Sequence, residues 1–231
     1  MKTAIVTGGS SGIGLGVAQM LVTKGYKVYI TSRGTNRNPD IKGIIDCKVD
    51  QSKREDLYAF IRMIKREESS IDCIVCNAGA TIRKSFELFS DEDWDFMMET
   101  GLTSHMILIR ELKTMISPNS NILFTGSQMG IQPHATVLCY GVMKAALHAL
   151  SRNLVKEFEG TGTRVNTIVP GFVATPWQSE KPQEIKENIY AKTAIHRFAT
   201  ISEIVDAFRF CLDNSFINGS LIEVNGGYCY K

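Results

Sequence analysis

Three side chains in the middle of the sequence have the types and the spacing needed for proton transfer. Ser127 follows a short apolar run, Asn121–Thr125, that predicts a buried strand, while Tyr140 and Lys144 lie in a stretch with helical periodicity. Residues four apart lie on one face of a helix, so the phenol and the ammonium would be neighbours. A nearby cation favours the phenolate and brings a phenol, with its ordinary pKa of ~10, closer to proton exchange near neutrality.

This pair alone does not identify an enzyme. A tyrosine and a lysine one turn apart are common on ordinary helices, where the lysine stem lies along the surface and the tyrosine is half-buried. A serine hydrolase is excluded, because Thr125 and Met129 stand where the Gly-x-Ser-x-Gly motif around Ser127 would need glycines. The surrounding elements must therefore decide what the pair does.

The composition favours one large α/β domain. The chain has 231 residues, of which 44% are hydrophobic and 22% charged, with a formal net charge of +2. A chain of that length can bury a full core. Positive and negative charges are nearly balanced, which does not indicate nucleic acid or an anionic membrane as a partner. No apolar run approaches membrane-spanning length, and no signal peptide precedes the first strand, so we expect a soluble cytoplasmic protein.

Two of the six cysteines form a Cys-x-x-Cys pair that invites a redox or zinc interpretation. Cys73 and Cys76 lie inside the apolar run Ile71–Cys76, which predicts a strand, and positions three apart on a strand point to opposite faces. No second Cys/His pair with ligand spacing accompanies them. We therefore expect buried small residues and no metal site.

A glycine-rich turn follows the first predicted strand, Lys2–Thr7, and leads directly into a helical pattern. The turn consists of Gly8, Gly9, Ser10, Ser11, Gly12, Ile13 and Gly14. Gly8 and Gly12 would let the backbone turn sharply and approach a pyrophosphate, and Gly14 would let helix and sheet pack closely. The helix N-terminus would offer free N–H groups and a favourable dipole. We expect a dinucleotide site here; the alternative is a tight strand-to-helix connection.

The end of the second predicted strand, Lys27–Thr31, bears on the choice between NAD and NADP. An NAD site usually has an Asp or Glu about 20 residues past the glycines, where it holds the ribose 2′-hydroxyl. Ser32 and Arg33 occupy that region instead, and a guanidinium can pair with a 2′-phosphate. We therefore favour NADP over NAD, the alternative being that Arg33 is an ordinary solvated residue. Asp50, which closes the third strand, would approach the adenine ring.

The rest of the chain alternates between strands and helices. Further strands are predicted at Ile44–Val49, Ile71–Cys76, Arg164–Val169 and Leu221–Val224, and helices at Lys53–Glu68, Asp91 to about Met115, Leu138 to about Gly160, and Ser202–Leu212 with Ser202 as its cap. This alternation predicts a single domain, residues 1–231, with a doubly wound parallel sheet of about seven strands and helices on both faces. Thr35–Lys42 leaves little room for a crossover helix.

Together these motifs resemble the short-chain dehydrogenase/reductase family in its compact single-domain form. The matching residues are Thr7 to Gly14, Asn77, Ala78, Gly79, Ser127, Tyr140, Lys144, Pro170, Gly171, Thr175 and Val224 to Gly227. Ser127 precedes Tyr140 by thirteen residues, a usual spacing in the family. The resemblance implies a Rossmann fold and an NADP-dependent carbonyl reductase or alcohol dehydrogenase (EC 1.1.1.-) that transfers hydride reversibly.

The resemblance also implies roles for individual residues. Tyr140 would be the general acid/base, Ser127 would hold the carbonyl oxygen, and Lys144 would bind the nicotinamide ribose and lower the Tyr140 pKa. The cofactor would be held by Gly8, Ser10, Ser11, Gly12, Ile13, Gly14, Arg33, Asp50, Asn77, Ala78, Gly79, Tyr140, Lys144, Pro170, Gly171, Val173 and Thr175. Family members are commonly dimers or tetramers, so we expect a homo-oligomer with a small-molecule substrate.

One position departs from the family pattern. Members usually carry an Asn in the long helix, seven residues after an aromatic that Trp94 matches, and it links a water to the lysine. That position is Gly101, which offers no side-chain hydrogen bond. Thr100, Thr103 and Ser104 are the nearby candidates to replace it. The alternative function is therefore an NAD(P)-binding scaffold or regulator with weak or lost catalysis.

The resemblance also places a substrate mouth. The residues expected around it are Ala80, Gln128, Met129, His134, Leu138, Phe172 and Trp177, and Gln178–Arg197 corresponds to a mobile substrate lid. His134 would contact a substrate or be a surface histidine. His105, His148 and His196 are expected to be structural.

Overall fold

The protein is described by a computed structural model that covers residues 1–34, 41–179 and 181–228. Within these ranges the strands are β1 (Lys2–Thr7), β2 (Tyr26–Ser32), β3 (Ile44–Lys48), β4 (Ile71–Cys76), β5 (Ile116–Thr125), β6 (Arg164–Pro170) and β7 (Leu221–Val224). They form one parallel sheet in the order β3-β2-β1-β4-β5-β6-β7. The predicted doubly wound Rossmann fold is confirmed.

The strand order reverses beside β1, which pairs with β2 on one side and β4 on the other. At such a switch point the loops that leave neighbouring strands run to opposite faces of the sheet and open a crevice at the carboxyl ends. The glycine-rich turn after β1 and the Asn77 segment after β4 both lie at this edge. The fold therefore places the predicted cofactor residues where an open α/β sheet binds ligands.

The helices in the described ranges are α1 (Gly12–Thr23), α2 (Arg54–Glu67), α3 (Asp91–Met98), α4 (Ser104–Leu112), α5 (Leu138–Glu157), α6 (Pro176–Ser179), α7 (Gln183–Ala191) and α8 (Ile201–Asp213). A π-helical segment, Glu99–Thr103, joins α3 to α4, so the predicted long helix is continuous but irregular around Gly101. None of these helices is long and apolar enough to cross a membrane.

The cap of α8 is Thr200 and not Ser202, as the sequence analysis had it. The Thr200 hydroxyl accepts a hydrogen bond from the Glu203 N–H at 3.2 Å, and the Glu203 carboxylate accepts one from the Thr200 N–H at 2.7 Å. This reciprocal capping box satisfies two N–H groups at the helix start, which a single cap at Ser202 would not.

Two apolar layers cover the faces of the sheet. On one face, strand residues such as Ile5 and Phe124 pack against α2, α4 and α5, and on the other Val6 and Leu123 pack against α1 and α8. Cys76 belongs to the first layer and Cys73 to the second, as the strand periodicity predicted. Burial raises the pKa of the Cys73 thiol to about 12.

Two further predictions concern the start of β5 and the segment between β2 and β3. β5 begins at Ile116, which pairs with Ile71, rather than at Asn121, and the ladder shifts its register between Ile71 and Cys73. The prediction that Thr35–Lys42 lacks a crossover helix falls mainly on residues 35–40, outside the described ranges.

Candidate active site

The structure brings Ser127, Tyr140 and Lys144 together at the carboxyl end of β5. Ser127 directly precedes a tight turn, and its hydroxyl accepts a hydrogen bond from the Met129 N–H at 3.1 Å. Ser127 also acts on the Tyr140 phenol, whose pKa it lowers. Tyr140 and Lys144 stand on successive turns of α5, with the ammonium 5.7 Å from the centroid of the phenol ring.

The Lys144 side chain crosses the buried space between α5 and the sheet. It is 3% exposed, and its ammonium donates a 2.7 Å hydrogen bond to the carbonyl of Thr125, the last residue of β5. Burial lowers the pKa of Lys144 to about 8, because the ammonium is removed from water and no carboxylate in the described part of the chain pairs with it. The hydrogen bond to the end of β5 thus fixes the Lys144 ammonium beside the Tyr140 phenol.

The pKa of Tyr140 differs from the sequence-based expectation. Burial raises it above the ordinary value, while the hydrogen bond from Ser127 and the charge of Arg83 act in the opposite direction. We expected Lys144 to lower the phenol pKa, and this arrangement does not show that. The reason is that burial of the phenol outweighs the two effects that lower its pKa.

His148 supports Ser127 from the same face of α5, one turn beyond Lys144. The Ser127 N–H donates to His148 Nε2 at 3.3 Å, and burial lowers the pKa of this histidine to about 4, so the ring is a neutral acceptor. A Cβ on Gly126, the residue before Ser127, would stand 2.4 Å from His148 Nε2. The sequence contains a pattern that could have predicted this role: Tyr140, Lys144 and His148 are spaced i, i+4, i+8 and so share one face of a helix.

The turn after β1 has the geometry that its glycines predicted. Gly8 and Gly12 have φ values of +63° and +55°, in the left-handed region that other residues avoid. A Cβ on Gly8 would stand 3.0 Å from the Ala78 Cα, and one on Gly14 would stand 2.3 Å from the Gly8 carbonyl oxygen. Gly14 therefore closes the packing behind the turn, and the turn itself faces the crevice at the N-terminus of α1.

Asn77 ties three strand ends together around this turn. Its Nδ2 donates to the carbonyls of Thr7 and Gly8, both at 3.1 Å, and its Oδ1 accepts from the Thr125 hydroxyl at 3.0 Å. The Thr7 hydroxyl accepts in turn from the N–H groups of Asn77 and Ala78, at 2.9 and 3.0 Å. The sequence analysis identified Asn77 and placed Thr7 in the glycine-rich motif, but it gave no role to Thr7 or Thr125. The available signal was a hydroxyl residue at the end of each strand.

His105 is a second buried histidine behind the turn. Its Nε2 lies 3.1 Å from the Thr7 hydroxyl. Burial, reinforced by the charge of Lys144, lowers the pKa of His105 to about 3, so the ring is neutral. His105 therefore supports Thr7 and is structural, as expected.

One cleft of about 350 Å³ gathers the predicted cofactor residues. Those that line it are Gly8, Ser10, Ser11, Gly12, Ile13, Arg33, Asp50, Asn77, Ala78, Gly79, Tyr140, Lys144, Pro170, Gly171, Val173 and Thr175. Only Gly14, which packs behind the turn, does not. Two positive-φ glycines and an open helix N-terminus on one wall fit a dinucleotide, whose pyrophosphate needs close backbone approach.

The adenosine end of the cleft carries opposite charges. Arg33 is exposed and lines the cleft together with Asp50. Burial alone would raise the pKa of the Asp50 carboxyl, yet hydrogen bonds from Ser52 and the charge of Arg33 hold it below its ordinary value. Behind Arg33, the Ser32 hydroxyl lies 2.9 Å from a carboxylate oxygen of Asp46, a residue that sequence reasoning did not single out.

The space beside Gly101 is occupied by a side chain from another helix, α5. Gly101 is buried in the π-helical segment, and a Cβ there would stand 2.6 Å from the sulfur of Met143. Of the neighbouring hydroxyls, that of Ser104 donates to the Thr100 carbonyl at 2.9 Å. The Thr100 hydroxyl is buried, has no hydrogen-bond partner among the described residues, and belongs to a residue that lines the cleft.

The predicted substrate mouth is only partly formed by the expected residues. A cavity of about 90 Å³ adjoins the main cleft at Ser127 and Tyr140. Gln128, Met129 and Phe172 line this cavity, and Ala80 lines the main cleft. His134 and Leu138 line neither, and the His134 ring instead lies 2.8 Å from the Ala135 carbonyl. The side chain of Trp177 lies outside the described part of the structure.

Comparisons with known proteins agree with this geometry. A model of the short chain dehydrogenase family matches residues 2–186. The chain is 31% identical to 2-dehydro-3-deoxy-D-gluconate 5-dehydrogenase of Pseudoalteromonas atlantica, over 98% of this chain and 95% of that one. It is 30% identical to a 3-oxoacyl-[acyl-carrier-protein] reductase of Salmonella typhimurium, over 98% and 96% of the two chains.

Solved structures share the fold over the whole chain. A short chain dehydrogenase family protein from Francisella tularensis superimposes with a TM-score of 0.92 at 25% identity, covering 100% of both chains. A 4-hydroxyisoleucine dehydrogenase complexed with NADH also gives a TM-score of 0.92 and covers 100% of both chains, but at 22% identity it shows the fold alone.

Proposed function

The chain belongs to the short-chain dehydrogenase family, and from this premise we propose that it is an NADP-dependent oxidoreductase that interconverts a carbonyl and an alcohol with Tyr140 as general acid/base. The observation that carries the proposal is the convergence of Ser127, Tyr140 and Lys144 on the wall of one cleft, with the Lys144 ammonium 5.7 Å from the centroid of the phenol ring, where this cleft meets the smaller cavity.

In the direction of reduction, Tyr140 gives its proton to the carbonyl oxygen of the substrate, and in oxidation it takes the alcohol proton. Ser127 places that oxygen, because it lines the cavity together with Tyr140, its hydroxyl is fixed by the Met129 N–H, and its backbone N–H is held by His148. When bound, the nicotinamide cofactor supplies or accepts the hydride. The protein's contribution is placement and electrostatics.

We assign Lys144 the stabilisation of the phenolate that forms when Tyr140 loses its proton, although burial holds the pKa of the phenol above its ordinary value. With its pKa lowered to about 8, the ammonium is still charged at neutral pH. A positive charge 5.7 Å from the ring favours the anion, and in a buried site this attraction is stronger than in water. The Thr125 carbonyl keeps the ammonium in this place during the proton transfer.

The residues that would hold the cofactor follow from the cleft. The glycine-rich turn and the start of α1 would take the pyrophosphate, Asp50 the adenine, and Val173 with Thr175 the nicotinamide carboxamide. Asn77, Ala78 and Gly79 would form the central wall, with Pro170 and Gly171 opposite.

The preference for NADP over NAD is supported by Arg33. It is the first exposed residue after β2, lines the cleft and has no carboxylate partner within hydrogen-bond distance in the described part of the chain. A guanidinium binds a 2′-phosphate by charge-assisted hydrogen bonds. The Asp46 carboxylate behind Ser32 acts against this preference, so the affinity for the two cofactors has to be compared directly.

We also propose a homodimer or homotetramer. Apolar side chains of α3 and α5 remain partly exposed, with Trp94, Leu138 and Val142 at 38%, 42% and 43% exposure. Burial of such a face in a copy of the chain removes apolar surface from water. Light scattering on the purified protein would give the mass. The cytoplasmic location stays a prediction.

The second candidate function is a cofactor-binding scaffold with weak catalysis. The observation that favours it is the Met143 sulfur in the space of a side chain at position 101, which removes the usual water-linking group. This alternative predicts NADPH binding without turnover of any carbonyl. The intact contact between Ser127 and Tyr140 favours the enzyme.

The test of the proposal is cofactor consumption. NADPH, with NADH in parallel, is followed over a panel of ketones, diketones, acyl thioesters and sugars, while cofactor binding is measured by fluorescence in the same samples. Turnover with NADPH is the expected result. Binding of NADPH without turnover across the panel would support the scaffold.

A further inference from the structure

The small cavity beside Tyr140 carries an unusual distribution of charge. Two of its lining residues, Arg83 and Lys181, are cations, and none of the lining residues is acidic. In the described part of the chain neither cation has a carboxylate within ion-pair distance; residue 180, a glutamate, lies outside that part. The Lys181 ammonium instead stands 5.7 Å from the centroid of the Phe172 ring.

The two cations act on the same small volume. The pKa of Lys181 is lowered by burial and further by the charge of Arg83, and the same charge acts on the Tyr140 phenol. Two like charges that share a partly buried site repel each other, and a bound anion would remove this cost. The cavity lined by Arg83, Lys181 and Tyr140 therefore favours the binding of a negatively charged group close to the reacting carbonyl.

Two buried polar atoms in this cavity also lack partners. The hydroxyl oxygen of Thr81 and the amide oxygen of Gln178 make no hydrogen bond within the described residues, although both are shielded from solvent. Buried polar groups are nearly always hydrogen-bonded, so an unpaired pair on one cavity wall points to a ligand. A hydroxyl can donate to an anion, and an amide oxygen can accept from a hydroxyl or ammonium group.

We propose that this cavity is a carboxylate subsite, in which Arg83 and Lys181 hold the acid group of a compact oxo acid or hydroxy acid while its carbonyl or alcohol faces Tyr140. Thr81 donates to the same carboxylate, and Gln178 accepts from a further hydroxyl or amino group of the substrate. The volume of about 90 Å³ is enough for a carboxylate with a few carbons. This assignment of substrate class rests on the proposed function.

The first part of the test compares matched pairs of substrates. 2-Oxobutanoate, 3-oxobutanoate and 4-oxopentanoate, which differ in the distance between carbonyl and carboxylate, are each assayed against the corresponding neutral amide. With the wild type we expect at least one acid to exceed its amide in kcat/KM by about 30-fold or more, since hydrogen bonds to a charged group are stronger than those to a neutral one.

The second part uses variants at the two cations. Arg83→Gln and Lys181→Met should each lower kcat/KM for the preferred acid by about 10-fold or more and leave its amide within about 3-fold. Lys192→Met is the matched control, because Lys192 is an exposed cation of the same segment that does not line the cavity. It should leave the acid and the amide unchanged. NADPH affinity, measured by fluorescence, should be unchanged in all three variants.

The third part separates this inference from the proposed function. Binding of the three oxo acids to NADPH-loaded protein is measured by calorimetry, with their amides as controls, whether or not turnover occurs. Binding of an acid that is lost in Arg83→Gln and Lys181→Met supports the subsite even if no carbonyl is reduced. Turnover of neutral ketones with no preference for acids, and equal effects of the variants on acid and amide, would overturn the subsite and leave the reductase intact. Absence of acid binding in the wild type would overturn it as well.

Discussion

The sulfur of Met143 lies in the space that a side chain at Gly101 would need, 2.6 Å from the position of a Cβ there. Gly101 belongs to the π-helical segment between α3 and α4, and Met143 to α5, one residue before Lys144. The π-helical segment and α5 are therefore in close contact at the residue that precedes Lys144. The absence of a side chain at position 101 is matched by a methionine that fills the gap.

This relationship predicts coupling between the two positions. Gly101→Ala should lower the free energy of unfolding by about 1–2 kcal/mol, because overpacking by one methyl outweighs the gain in helix propensity. In the Met143→Ala background the same change should cost nothing or stabilise. Urea unfolding of the wild type, both single variants and the double variant measures the coupling energy. Additivity within about 0.5 kcal/mol would contradict the close contact.

Asn77 should be critical for stability as well as for cofactor binding. Asn77→Leu removes three side-chain hydrogen bonds that join the ends of β1, β4 and β5, each contributing about 1 kcal/mol. We expect the free energy of unfolding to fall by about 2–4 kcal/mol, since the carbonyl and hydroxyl partners are left unsatisfied.

The matched control is Asn153→Leu, which removes one exposed hydrogen bond to the Ala149 carbonyl on α5. It should change the free energy of unfolding by less than about 0.5 kcal/mol. Equal effects of the two variants in urea unfolding would show that the network around Asn77 does not hold the strand ends.

Arg33 should decide the cofactor preference. Arg33→Gln should raise the Kd for NADPH by about 10- to 100-fold and change that for NADH by less than about 3-fold, because only the 2′-phosphate loses a charged partner. Fluorescence titration measures both constants, with Arg62→Gln, an exposed arginine of α2, as control. An equal loss for the two cofactors would assign Arg33 a general role in the cleft rather than selection of NADP.

Lys144 should make stability depend on pH in the alkaline range. Its pKa is about 8 in the folded protein, below the ordinary value of ~10.4 in the unfolded chain. Between these values the unfolded chain binds the proton and the folded protein does not, so stability rises with pH. From pH 7.5 to 10 the wild type should gain about 1–3 kcal/mol relative to Lys144→Met.

The comparison with Lys144→Met removes the opposing effect of the Cys73 and Cys211 thiols, whose raised pKa values lower stability over the same pH range in both proteins. The Cys76 thiol is coupled to the charge of Lys144, so its contribution remains in the difference. Urea unfolding at a series of pH values gives the difference. A difference that stays constant with pH would show that the lysine is not titrating below its ordinary range.

The sequence predicted those features that depend on a few adjacent residues. The turn at Gly8 and Gly12 follows from backbone conformations that only glycine adopts easily, and the faces of Cys73 and Cys76 follow from strand periodicity. The cap of α8 was also readable, because Thr200 and Glu203 have capping-box spacing. Choosing Ser202 was an error of interpretation.

Other features depend on contacts between distant segments and could not be predicted. The pKa of Tyr140 depends on its burial and on the effects of Ser127 and Arg83, which come from other parts of the chain. The cavity with two cations exists because Arg83 and Lys181, nearly a hundred residues apart, are brought to the same side of Tyr140. No local pattern encodes such a meeting.

Tyr140→Phe tests the central claim most directly. Steady-state NADPH consumption is measured on the most active carbonyl for the wild type, Tyr140→Phe and the control Tyr58→Phe, whose hydroxyl lies on the surface beside Arg110. We predict that Tyr140→Phe lowers kcat by at least about 100-fold, the usual contribution of a general acid, with NADPH affinity within about 3-fold and Tyr58→Phe unchanged. Turnover of Tyr140→Phe at the wild-type rate would contradict the assignment of Tyr140 as the proton donor.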